Sequence, residues 1–147
     1  MLCIKIFHEI NVSWHHLFYF RDSAAITICK DLIEEGAKIT IHDPKVNPEQ
    51  IEFDLGCKPS QGNINNLTIN NSKNQGSWTI ASNIDYAIKN ADAVVILTEW
   101  EEYSEINWSE ASNLMRKPSW IFDTRKIIPI SFLKEINSNY WQIGSPN

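Results

Sequence analysis

Arg125, with Lys126 beside it, stands just past Asp123 at the end of the apolar run Trp120-Ile121-Phe122. A guanidinium at the end of a buried strand can hold a diphosphate or a sugar hydroxyl with its planar fork. A surface arginine, or one paired with Asp123, fits the same spacing. Arg21 directly precedes a segment with helical spacing and adds positive potential where a helix start already favours anions. A solvated arginine fits there as well. Thr98-Glu99-Trp100 follows the longest apolar run, at the end where open parallel sheets place their ligand crevice. Helix capping and packing of Trp100 is the alternative. Asp43 ends another predicted strand, the position of a ribose-binding acid in dinucleotide folds. Pro44 follows it directly and no glycine-rich turn accompanies it, so a turn-stabilising aspartate is the better reading.

Other chemistries do not assemble. His15-His16 could ligate a metal, but adjacent histidines diverge in any regular element and no third ligand follows at useful spacing, so no metal site is expected. Cys29 lies on the apolar face of a predicted helix and reads as a buried structural thiol. Cys3, Cys29 and Cys57 form no Cys-x-x-Cys pair, which indicates neither a disulfide framework nor zinc, and a cytoplasmic setting is the default. With five glycines, the chain contains neither Gly-x-Gly-x-x-Gly nor a Walker loop.

The elements that must position these residues alternate. Asp22 or Ser23 can cap a helix whose apolar face is Ala25, Ile28, Cys29 and Leu32, closed by Gly36. Lys38 to His42 then alternates as a strand. Trp78 to Ile80 is a short strand, and Ser82 or Asn83 can cap a helix running through Ala91. Ala93 to Leu97 reads as a strand covered on both faces. A helix from Trp108 to Met115, a strand at Trp120 to Phe122, a last helix over Ser131 to Asn137 and an edge strand at Tyr140 to Ile143 complete the series. Such alternation predicts right-handed βαβ crossovers and a mainly parallel α/β sheet. Two stretches fit poorly. Residues 62–76 are dominated by asparagine and read as a loop, and residues 1–20 have no clear period beyond a possible first strand at Leu2 to Phe7.

At 147 residues the chain fits one domain. A net charge of −5 without a basic stripe argues against nucleic acid, and residues 1–20, interrupted by Lys5, His8 and Glu9, carry no signal-peptide or membrane-span pattern.

Several of these stretches together resemble one family. Arg21 to Ile26, Leu32 to Lys38, Ile41 to Val46, Ala91 to Trp100 and Ile121 to Arg125 occur in the order and at the spacing of the C-terminal domain of UDP-glucose 6-dehydrogenases. The resemblance implies a three-layer, Rossmann-like α/β domain over residues 21–147, preceded by a divergent segment 1–20. It also implies a UDP-glucose or related nucleotide-sugar ligand contacted by Arg125, and an NAD pyrophosphate contacted by Arg21 across a domain interface. Members use NAD and a cysteine nucleophile to oxidise UDP-glucose to UDP-glucuronate.

The departures bear on catalysis. The family's Gly-Leu-x-Phe-Lys stretch is replaced by His15 to Phe20, and no cysteine sits in the family's Gly-Gly-x-Cys context. These residues alone are therefore expected to bind a UDP-sugar weakly, to bind no NAD and to contain no catalytic residue. Two alternatives are a subunit of a split dehydrogenase with a separate NAD-binding partner, and a self-associating or truncated interaction domain.

Overall fold

A computed structural model of the chain describes residues 3–4, 24–60 and 76–144. The apolar spacing after Ser23 produces α1 (Ala24–Glu34), which turns Cys29 and Leu32 into the interior. Its cap at Asp22 or Ser23 lies outside the described residues. The helix closes as expected: Gly36 has φ 90°, its N–H reaches the Ile33 carbonyl at 3.0 Å, and Ala37 N reaches Leu32 O at 2.8 Å. The chain emerges as β2 (Lys38–His42), with Ile39, Thr40 and Ile41 buried.

Asp43-Pro44 ends β2 but is followed by a helix that the apolar pattern did not reveal, α2 (Pro48–Leu55). Its signals are local. Asn47 accepts from Gln50 N at 2.8 Å, Pro48 occupies the first turn, and Gly56 closes the helix at φ 73°. Only Ile51 and Leu55 point inward and Phe53 is exposed, so the helical period is faint.

β3 (Ser77–Ile80) leads into α3 (Ile84–Ile88), capped by Asn83 rather than Ser82 through a bond from Tyr86 N. This helix stops three residues short of Ala91, because Asn90 adopts φ 59° and Ala91 N turns back onto Ile88 O. β4 (Ala93–Ile96), the short α4 (Glu101–Ser104), α5 (Trp108–Asn113), β5 (Trp120–Asp123) and β6 (Asn139–Gln142) follow. No helix forms over Ser131 to Asn137. A single 3₁₀ turn at Ile130–Phe132 takes its place. Only Leu133 and Ile136 of that stretch pack inward, too little apolar surface to hold a helix against its ordering entropy.

β2 and β3 pair in parallel from Lys38↔Ser77 to Ile41↔Ile80, and β5 pairs in parallel with both β4 and β6. β1 (Cys3–Ile4) departs from this pattern. It is antiparallel to β2, with Cys3 opposite His42 and Ile4 opposite Ile41, and it also lies alongside β4. The strand order is thus β3-β2-β1 and β4-β5-β6 in two three-stranded sheets rather than one continuous sheet.

Helices cover both faces. Ala93, Val95 and Leu97 join α1, α2 and β2 in one apolar cluster, while Val94 and Ile96 join α3 and α5 in another. The alternate residues of one strand therefore anchor two cores, which makes the three layers of a Rossmann-like α/β domain. Across β5 and β6, Trp120 and Phe122 stack with ring centroids 5.6 Å apart, and Trp141 tilts against Phe122 at 6.3 Å. Among the described residues, no helix is long and apolar enough to cross a membrane.

Candidate functional site

The C-terminal ends of the parallel strands meet at one edge. Tyr103, just past β4, hydrogen-bonds Nδ1 of His42, the last residue of β2, at 3.1 Å, so both sheets deliver their strand ends to the same place. Tyr103 is buried and packs edge-on to the His42 ring. Burial lowers the His42 pKa, and the nearby Glu102 carboxylate opposes that shift. Neither residue was singled out from sequence, because their 61-residue separation hides the contact.

Asp123 organises this edge from inside. It is fully buried at the end of β5 and accepts four hydrogen bonds. Oδ1 takes Arg125 N at 3.0 Å, while Oδ2 takes Ile128 N at 3.0 Å, Tyr140 Oη–H at 3.1 Å and Gln142 Nε2 at 3.2 Å. The carboxylate thereby closes the 123–128 loop and ties it to β6. Burial, then the Asp123 charge and its hydrogen bond, push the Tyr140 pKa upward.

The next two residues reach back to β4. Thr124 bonds Ile96 O through both N and Oγ1, at 3.2 and 2.6 Å. Arg125 donates Nε to Leu97 O at 2.8 Å. The Asp123 pairing considered for Arg125 is therefore made by its backbone, and its guanidinium crosses the end of β4. Arg125 is exposed, and among the described residues no carboxylate pairs with it. Nε tethers the exposed side chain, and a guanidinium held in this way keeps two terminal amino groups as a fork suited to an anion. Lys126 follows at φ 60°, a left-handed conformation that turns its side chain toward Gly144 at the end of β6. The two adjacent cations splay apart over opposite neighbours of β5.

The remaining candidates separate clearly. Asp43 Oδ1 accepts from Lys45 N at 2.9 Å and Val46 N at 3.0 Å, which makes it a turn aspartate. Trp100 precedes α4 and packs against the second core cluster, with an indole N–H buried without a partner among the described residues. Cys29 is buried and its pKa is pushed up to about 12 by desolvation, as a structural thiol requires, whereas Cys57 is exposed. Arg21 and His15-His16 lie outside the described residues. Among those described, no three His, Cys, Asp or Glu side chains come together as metal ligands.

Comparison with known proteins agrees with this architecture. Residues 19–130 match the sequence model of the UDP-glucose/GDP-mannose dehydrogenase family, UDP binding domain. The chain is 40% identical over 124 residues to UDP-glucose 6-dehydrogenase of Drosophila melanogaster, covering 84% of the chain and 25% of that protein. It is 37% identical over 125 residues to the Caenorhabditis elegans UDP-glucose 6-dehydrogenase, covering 85% and 24%. Against UDP-glucose 6-dehydrogenase 4 of Arabidopsis thaliana the identity is 34% over 127 residues, covering 86% and 26%. The chain thus spans about a quarter of the length of these curated relatives. A doubly wound α/β edge carrying an Asp-Thr-Arg clasp, together with a match over most of its residues, places this chain in the UDP-glucose/GDP-mannose dehydrogenase family as a UDP binding domain.

Proposed function

We propose that this chain binds the UDP portion of a nucleotide sugar at the C-terminal edge of β4 and β5, with the Arg125 fork on the diphosphate. One observation carries the reading. Arg125 is held by its Nε bond to Leu97 O and by its backbone bond to Asp123, so the cation is oriented before any ligand arrives. A preorganised donor loses little entropy on binding. UDP-glucose is the sugar nucleotide suggested by the names of the relatives.

Oxidation of such a sugar needs NAD held against the reacting carbon and a thiol nucleophile. These 147 residues contain no Gly-x-Gly-x-x-Gly, and Cys29 is locked in the core. In this reading the chain alone holds the nucleotide and does not reduce NAD. An NAD-binding unit outside these residues would complete the reaction, with Arg21 serving the NAD pyrophosphate.

Calorimetric titration with UDP and UDP-glucose tests the binding. Charged hydrogen bonds of this kind contribute about 1.5–3 kcal/mol, so Arg125→Ala is expected to weaken UDP roughly 10- to 100-fold. Equal affinity in that variant would remove Arg125 from the site. NADH formation from UDP-glucose by the purified chain would overturn the claim that it is inactive alone.

A further inference from the structure

Asp123, Thr124 and Arg125 are consecutive, yet they are tied to different strands. The bonds of Asp123 serve the turn itself and β6: its carboxylate takes Ile128 N, Tyr140 Oη–H and Gln142 Nε2, and its carbonyl takes Ile143 N at 3.1 Å. The bond from Arg125 N to Asp123 Oδ1 lies within the turn and moves with it. Toward β4, three hydrogen bonds leave residues 124–128 among the described residues: Thr124 N and Oγ1 to Ile96 O, and Arg125 Nε to Leu97 O. Thr124 N makes the last backbone rung of the β4–β5 ladder, whose register ends at Ile96↔Asp123. Terminal rungs fray, and at 3.2 Å this one is long. The Thr124 hydroxyl doubles it at 2.6 Å, on the second lone pair of the same carbonyl. A β-branched side chain has few χ1 choices, so this bond costs little ordering entropy. The Arg125 guanidinium instead hangs on a flexible methylene stem, and its Nε tether holds only while the turn stays at a fixed distance from β4.

We propose that Thr124 is a positioning residue for the diphosphate: its hydroxyl pins the turn that carries Arg125 to the end of β4, and so keeps the guanidinium where Nε reaches Leu97 O. The inference rests on the nucleotide reading and deepens it, since Thr124 acts through Arg125 and not on the ligand. The entropy of orienting the cation is then met on folding rather than on binding.

Serine and alanine at position 124 isolate the hydroxyl, because both lack the threonine methyl and they differ by the oxygen alone. UDP is titrated calorimetrically into the full chain, well below the unfolding transition of each variant. Thr124→Ser should bind within about twofold of the parent and Thr124→Ala about three- to tenfold more weakly, a loss bounded by the whole effect of Arg125→Ala. In the Arg125→Ala chain the same pair of substitutions should differ by less than about twofold, since no cation is left to aim. A residue that only stabilised the fold would lower the melting temperature without this coupling. Thr124→Val keeps the branched volume without the hydroxyl; it should match Thr124→Ala and serves where the smaller side chain does not fold. The proposal is overturned if the alanine or valine variant binds UDP as tightly as the serine variant, or if the loss is as large without Arg125 as with it. Parent-like binding by Arg125→Ala would remove the nucleotide reading, and this inference with it.

Discussion

Asp123→Asn is the most informative single substitution. The amide is isosteric, and its oxygen can take the place of Oδ2 and keep Ile128 N, Tyr140 Oη and Gln142 Nε2. Its NH₂ then faces Arg125 N–H, donor against donor, where Oδ1 had accepted. Replacing three charge-assisted bonds by neutral ones costs about 1 kcal/mol each, and the orphaned Arg125 amide adds about 1 kcal/mol because water can reach it in part. Removing a buried charge returns some of this. The net loss should be about 3 kcal/mol. Urea unfolding followed by far-UV circular dichroism should show the midpoint falling by roughly 1–3 M at an unchanged slope. A variant within about 0.5 kcal/mol of the parent would refute the view that Asp123 clasps this loop. UDP titration of the same variant checks the second half of the argument: if the clasp aims Arg125, affinity falls well before the protein unfolds.

Three further outcomes are expected. Tyr140 has a raised pKa in the folded state, so its contribution is fully present below the unfolded tyrosine pKa of about 10 and is lost as pH rises beyond it; Tyr140→Phe should flatten that alkaline decline in thermal scans. His42 has a lowered pKa, so stability falls as pH drops below the unfolded value of about 6.5. Its ring should titrate below that pH by NMR, and His42→Gln should reduce the acid sensitivity. In native protein at pH 8, iodoacetamide should label Cys57 and spare Cys29 until denaturant is added, as read by peptide mass mapping.

Much of this fold was legible because its elements carry period and punctuation together. α1 was readable from Ala25, Ile28, Cys29, Leu32 and Gly36, and β4 from an unbroken apolar run. α2 was missed because its evidence lay in Asn47, Pro48 and Gly56, while only two of its side chains face the core. The helix expected over Ser131 to Asn137 failed for the opposite reason: plausible residues lacked a surface to pack on. At the site, the strand-end position of Arg125 was readable from Asp123-Thr124-Arg125. Its tether to Leu97 O and the four donors around Asp123 depend on strand neighbours that no local pattern encodes. The direction of β1 was equally hidden, since an apolar stretch reads the same whether its strand runs parallel or antiparallel.

The aromatic row on β5 and β6 has a practical consequence. Trp78 and Trp108 are sealed in the interior and should emit at short wavelength, whereas Trp120 is 44% exposed and stacked on Phe122. The difference between the acrylamide quenching of the parent and of a Trp120→Phe variant therefore isolates the tryptophan at the start of the strand that ends in Asp123. The protein carries its own optical gauge of whether that sheet face is open or covered, without an added dye.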